Sequence, residues 1–200
     1  MATTTAPKQR SETAEQILDL AETLIQTRGY SAFSYQDIAD SLGIRKASIH
    51  YHFPSKTDLG IAVVDRYIAR FDAALAEIAD DQSKSSMAML DFYVQPYLQF
   101  ASTPDRVCLS GALAGEMLAL APELRQRVDH FFRTHQAWLT KLLKRGVSRG
   151  EFDLPAPPAK VARSIFAGLQ GALLVKRATG DMAQINDVIT VIKLQLARRA

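Results

Sequence analysis

The sequence predicts an all-α fold of about nine helices, and three observations predict it. Apolar residues recur at helical spacing along nearly the whole chain. No segment alternates convincingly as a half-buried strand would. Ser/Thr capping patterns, glycines and prolines divide the periodic stretches from one another. The composition suits such a fold: 200 residues, 48% hydrophobic and 22% charged, suffice for one ample core or two modest ones. No apolar run approaches the roughly 20 residues of a membrane span, and the opening MATTTAPKQR lacks the apolar core of a signal peptide. A cytoplasmic protein with no membrane partner is expected.

The first helix covers residues 11–29: Ala14, Ile17, Leu18, Ala21, Leu24 and Ile25 make one stripe, Thr13 and Gln16 suit a capping box, and Gly29 ends it. Ser34 to Asp37 is a second capping-box pattern, opening a short helix that buries Ile38, Ala39 and Leu42 and stops at Gly43. A third short helix runs from Arg45 to His52 and is broken by Pro54. Ser55 to Asp58 caps a fourth, with Leu59, Ala62, Val63, Tyr67, Phe71, Ala74, Leu75 and Ile78 on its stripe. At 1.5 Å per residue it is about 38 Å long, enough to join two domains. The expected division is an N-terminal domain over residues 1–56 and a C-terminal domain over 57–200. Beyond the polar break DDQSKSS at 80–86 come a helix over 87–101, one opening at Thr103 and Pro104, and a long one from Pro122 to Val147 ended by Gly150. After the Pro-rich turn at 154–158, two terminal helices cover 161–178 and 182–199.

Metal and enzyme chemistry find little support. The single cysteine, Cys108, excludes an internal disulfide or a cysteine-built metal site within one chain. His50 and His52 stand about 200° apart around a helix, and His130 and His135 are a poor chelating interval. No Gly-rich phosphate loop or nucleophilic triad is present, and Glu116 with His135 is the best acid–base pair available. No metal, no cofactor and no catalytic residue is expected.

The segment GIRKASIHYHFPSKTDL at 43–59 is the informative one. As a helix it offers only Ile49 and Phe53 to a core, so most of its surface is spare. A helix of about eight residues, a glycine turn and a helix of about seven form a helix-turn-helix, whose second helix lies in the major groove of DNA. Local charge agrees. Residues 1–56 hold six basic and six acidic residues, but 43–56 hold three basic and none acidic, so one face is positive, as phosphate contact requires.

The longer segment FSYQDIADSLGIRKASIHYHFPSKTDLGIAVV, residues 33–64, resembles the N-terminal helix-turn-helix of TetR-type transcriptional regulators. It shares their aromatic-His-Phe ending of the recognition helix, here Tyr51, His52 and Phe53, and the lysine that follows, Lys56. The resemblance implies a homodimer, a palindromic operator in double-stranded DNA, and a C-terminal domain that binds a small-molecule effector. Position by position it puts Lys46, Ser48, His50, Tyr51 and His52 in the groove or on flanking phosphates, with Lys56 pairing a phosphate. The chemistry of the groups agrees: Lys46 and Ser48 suit base edges, Tyr51 and His52 suit phosphate oxygens, and Arg45 suits a guanine or a phosphate. Ser34 and Tyr35 lie where the supporting helix meets the DNA backbone.

In the C-terminal part, MAMLDFYVQPYLQFA at 87–101 is apolar nearly all round, and Pro96 favours a kink there. Phe92, Tyr93 and Tyr97 on this helix, with Cys108, His135, Trp138, Phe166 and Gln170, are the expected walls of an effector pocket, polar-tipped or aromatic groups among aliphatics. The segment VCLSGALAGE at 107–116 is similar to one in a branch of TetR regulators that answer electrophiles or oxidants through a cysteine in a CL-x(4)-A-x-E context, although Val107 stands where a glycine is expected. A cysteine one or two turns into a helix opened by Thr103 and Pro104, beside Arg106, would have a lowered thiol pKa. The terminal helices read as the dimer interface. Gly168, Gly171 and Ala172 permit close approach, and Ile185, Ile189, Ile192 and Leu196 form a stripe that a monomer would leave wet. The expected function is a ligand-responsive homodimeric repressor; an activator with the same DNA-binding mode, or an all-helical enzyme, is the alternative.

Overall fold

The computed structural model describes residues 11–197. Among them are nine α-helices, one 3-10 turn at Met117–Ala119, and no strand beyond an isolated bridge between Phe152 and Ala197. The helices are α1 Glu12–Arg28, α2 Tyr35–Leu42, α3 Lys46–His52, α4 Lys56–Asp80, α5 Ser86–Ser102, α6 Leu109–Ala114, α7 Pro122–Ser148, α8 Pro158–Thr179 and α9 Ala183–Leu196. The last residues of the terminal helix predicted over 182–199 lie outside the described ones.

Local chemistry sets most of these boundaries. Both predicted capping boxes form: the Ser34 side chain accepts from the backbone inside α2 while Asp37 answers its amide, and Ser55 with Asp58 does the same for α4. Gly43 closes α2 in the left-handed region, at φ 65°. Two starts differ from expectation. Ser11, not Thr13, caps α1, its hydroxyl accepting from the Ala14 amide at 3.3 Å. Residues 103–107 are a loop rather than a helical start, because Asp105 takes a left-handed φ of 56°, and α6 begins only after Cys108. Helix α5 runs unbroken through Pro96.

Helix α1 packs on α2, α3, α4 and α6, and buries Ile17, Leu18, Ala21 and Ile25 completely. The upper part of α4 closes the same bundle through Leu59, Val63 and Val64. Its lower part continues into a second bundle, where it meets α5, α6 and α7, and α7 in turn packs on α8. An ion network ties α1 to α4: Arg66 reaches Glu15 (2.9 Å), Asp19 (2.8 Å) and Glu22 (3.3 Å), and Arg70 reaches Glu22 at 2.6 Å. Among the described residues no helix is long and apolar enough to cross a membrane.

The predicted dimer stripe is corrected by this packing. Ile185, Ile189, Ile192 and Leu196 turn inward, where α9 packs on α5 and α8, and Ala172 is buried with them. They belong to the monomer core. The apolar side chains left in solvent on these two helices are Leu174, Val175, Val191 and Leu194, and a methyl group added at Gly171 would meet nothing within 4 Å.

Candidate nucleic-acid interface and ligand cavity

Helix α3 buries one residue, Ile49. Phe53, just past its end, is the second anchor. These two hold the helix on the bundle, while Arg45, Lys46, His50 and Tyr51 are exposed and Ser48 and His52 half-buried. Tyr51 is 84% exposed, so its ring and hydroxyl stand free at the surface of α3. His50 donates from Nδ1 to the Pro54 carbonyl at 3.2 Å, since a carbonyl can only accept, and lies edge-on to Tyr35. That leaves Nε2 as its outward group.

Three of the expected contacts are committed inside the molecule. Tyr35 is a correction: its ring is buried, and its hydroxyl serves the carbonyls of Phe53 (2.8 Å) and Ser55 (2.6 Å), so that it clamps the end of α3 to the start of α4. The Ser34 hydroxyl donates to Asp37 Oδ2 at 2.6 Å within the capping box. Lys56 turns inward, donating to the Phe33 carbonyl and lying 4.8 Å from the centroid of Tyr30 and 4.4 Å from that of Phe33. Burial pushes its ammonium pKa down, against the pull of Glu116 and Asp37.

Glu116 was not among the expected site residues. Its carboxylate accepts the Tyr30 amide at 2.6 Å through Oε1 and the Ser31 amide at 2.9 Å through Oε2. Burial raises the carboxyl pKa, but the hydrogen bonds from Ser31 and Tyr30 and the charge of Lys56 outweigh it, and the net shift is downward. Gly29, at φ 97°, makes room: a methyl group there would sit 2.5 Å from Oε1. Farther back, Arg106 Nε donates to Gln26 Oε1 at 2.8 Å and the Val107 amide to the Gln26 carbonyl at 3.2 Å. The segment 106–116 is thus strapped at both ends to the C-terminal half of α1 and the turn that leads into α2. The signal in the sequence was the glutamate of the CL-x(4)-A-x-E pattern; its partners are 86 and 85 residues away. Glu116 and His135 have separate partners and form no acid–base pair.

Between α4, α5, α7 and Cys108 lies a cavity of about 50 Å³. Five of the expected residues line it: Phe92, Tyr93, Tyr97, Cys108 and His135. The other three stand behind its wall. Trp138 stacks on Tyr93 at 5.3 Å, Phe166 packs against His135 at 6.0 Å, and Gln170 Nε2 donates to the Tyr97 hydroxyl at 3.4 Å. The sequence reading missed the α4 wall, Tyr67, Phe71, Ala74 and Leu75, and Phe131 on α7. These stood in stripes taken as plain core, which is what they are except where the cavity opens.

The expected electropositive setting of Cys108 is corrected. The residue precedes α6 rather than lying within a helix, it is 2% exposed, and Arg106 is turned away to Gln26 and the Phe100 ring. Its sulfur accepts from the Tyr67 hydroxyl at 3.5 Å. Burial alone lowers the His135 pKa to about 4, so the ring is neutral at physiological pH. Among the described residues no three His, Cys, Asp or Glu side chains gather as a metal ion would need.

A positive, poorly buried reading helix on a three-helix bundle, joined through one long helix to a cavity-bearing bundle, defines a one-component DNA-binding regulator. Comparison with known proteins gives the particular family. Residues 17–63 match the bacterial regulatory proteins of the TetR family, and residues 87–192 match the tetracyclin repressor-like C-terminal domain, so the chain belongs to the TetR family of transcriptional regulators. A TetR-family regulator from Agrobacterium tumefaciens has a crystal structure that superposes with a TM-score of 0.87 at 33% identity, covering 92% of this chain and 97% of that one. One from Legionella pneumophila does so with a TM-score of 0.84 at 32% identity, covering 94% and 100%. The transcriptional repressor NemR of Escherichia coli is 23% identical over 94% of this chain and 96% of its own.

Proposed function

We propose that the chain is a homodimeric repressor that reads a palindromic operator with α3 and is released from it by a small molecule bound in the cavity. The observation that carries the reading is α3 itself, which gives one side chain to the core and turns three of its predicted contacts, Lys46, His50 and Tyr51, outward beside Arg45 with no carboxylate on the helix. Arg45, Lys46 and Ser48 read bases or hold phosphates, and Tyr51, His52 and His50 Nε2 meet the flanking backbone.

Two copies meet through the exposed face of α8 and α9, with Leu174, Val175, Val191 and Leu194 at its centre and Gly168 and Gly171 allowing close approach. That pairing sets two α3 helices one helical turn of DNA apart, roughly 34–36 Å. Occupancy of the cavity displaces Cys108 and the strap 106–116, which pulls on Gln26, Tyr30 and Ser31 and alters that spacing. The effector acts by binding the released arrangement more tightly than the DNA-bound one.

The test is selection of bound duplexes from a random pool by the purified protein at about 0.15 M salt, near physiological screening. An inverted repeat with half-sites about one turn apart is expected. Recovery of no common sequence, or of a single unrepeated half-site, overturns the reading.

A further inference from the structure

The cavity between α4, α5 and α7 shares part of its wall with an open groove at the surface, and the two together name a class of effector, an inference that rests on the cavity being the effector site. Phe71, Ala74, Pro96 and Phe100 line both the cavity and this groove, which has a volume of about 410 Å³. All four are half-buried, so they form the layer between the interior and solvent on that side. The Phe71 ring is anchored inward, its centroid 4.7 Å from that of Tyr67 and 6.1 Å from that of Phe131. The Phe100 ring has a different neighbour: the Arg106 guanidinium lies over it, 5.5 Å from its centroid.

The two hollows differ in chemistry. No Asp, Glu, Lys or Arg lines the cavity, whose volume of about 50 Å³ gives room for about three to five water-sized groups, the bulk of a short carbon chain. The groove adds three ionised groups, Glu22, Arg70 and Arg106. The Glu22 carboxylate is answered on both oxygens, Oε1 by Arg70 at 2.6 Å and Oε2 by Arg66 at 3.3 Å. Arg106 is not answered in kind. Its Nε donates to the neutral Gln26 Oε1 at 2.8 Å, and among the described residues no carboxylate pairs with it. Its two Nη groups, which can grip a carboxylate side by side, have no acceptor among those residues.

We propose that cavity and groove form one site for a small amphipathic acid, whose apolar body of about five carbons fills the cavity while its carboxylate stays in the groove on Arg106. There the head keeps part of its hydration, which a wholly buried ion would lose. The body passes inward beside Phe100, the ring that Arg106 covers. The same contact carries the signal: a carboxylate held by Arg106 competes with Gln26, through which α1 holds the near end of the strap 106–116. An amine would meet the charge of Arg106, and an alcohol would fill the cavity but leave Arg106 on Gln26.

The full chain is titrated by calorimetry with butanoate, hexanoate, hexanol and hexylammonium. Trp138, the only tryptophan, stacks on Tyr93 of the cavity wall and reports by its fluorescence whether the chain end reaches inside. Hexanoate binds about fivefold tighter than hexanol, the gain of one partly exposed charge-assisted contact, and hexylammonium binds weakest. Hexanoate also binds about tenfold tighter than butanoate, from two more buried methylenes. Arg106→Gln brings hexanoate level with hexanol, whereas Arg106→Lys, which keeps the charge, retains most of the preference. Acid and alcohol share one apolar body, so their ratio within a variant is insensitive to a change in its stability. Ala74→Leu, which thickens the shared wall, removes the gain of hexanoate over butanoate. Equal binding of acid and alcohol, preference for the amine, a preference for the acid that survives Arg106→Gln, Trp138 fluorescence unmoved by hexanoate, or no binding at millimolar concentration overturns the proposal. The same ligands are then added to the complex with selected DNA. Binding of hexanoate without release of DNA would uphold the ligand class and overturn the reading of the cavity as the effector site.

Discussion

Replacing Glu116 with alanine removes the carboxylate that holds the turn between α1 and α2. Two hydrogen bonds to an ion are lost, one from the partly buried Tyr30 amide at 2.6 Å and one from the exposed Ser31 amide at 2.9 Å. The first is worth about 1.5 kcal/mol, and the second, open to water, about 0.5 kcal/mol. Their sum of about 2 kcal/mol lowers Tm by about 4–8 °C in a chain of this size. Thermal unfolding measures the total, and amide hydrogen exchange at Tyr30 and Ser31 shows whether the loss is located there. Glu116→Gln keeps one acceptor oxygen and recovers part of it. In the proposed coupling, effector-driven release of DNA shrinks in Glu116→Ala more than DNA affinity without effector does. A variant within about 0.5 kcal/mol of wild type, with both amides protected as before, would refute the clamp.

The remaining predictions follow from the same contacts. Gly29→Ala strains a φ of 97° and drives a methyl group to 2.5 Å from Glu116 Oε1, costing about 2 kcal/mol or more; combined with Glu116→Ala it costs less than the sum, which a double-mutant cycle measures. Tyr35→Phe loses the hydroxyl that joins Phe53 and Ser55, and destabilises by about 1 kcal/mol in denaturant unfolding, while the folded variant keeps its DNA affinity. Because burial holds His135 near pKa 4 in the fold against 6.5 unfolded, the unfolded chain takes the proton first: this contribution is full above pH 6.5 and declines by about 3 kcal/mol as pH falls to 4. His135→Phe flattens that limb of the stability–pH curve. Leu194→Glu, on the exposed face of α9, shifts the proposed dimer toward monomer in sedimentation without lowering monomer stability, whereas Ile189→Glu, 7% exposed, unfolds the chain.

The sequence by itself determined most of the helices and the spare, basic face of α3, because both are written in short-range chemistry. Ser34 with Asp37, Ser55 with Asp58 and Gly43 satisfy or release backbone groups within a few residues, so their meaning does not depend on distant partners. The spare surface of α3 was visible for the same reason: a helix with two apolar anchors cannot bury the rest wherever it packs. The tertiary structure alone decided which apolar face is core and which polar groups are answered. Helix α9 carries the stripe from Ile185 to Leu196 and a second pair in Val191 and Leu194, and only the positions of α5 and α8 make the first inward and the second free. Tyr35 and Lys56 have side chains fit for phosphate, yet the carbonyls they reach are 18–23 residues away. Arg106 stands two residues from Cys108 but turns to Gln26, 80 residues distant, and Glu116 finds its two amides at the end of α1. Periodicity and capping act over one turn of helix, whereas hydrogen-bond satisfaction and cavity walls depend on which helices meet, and that is fixed only when the bundle closes.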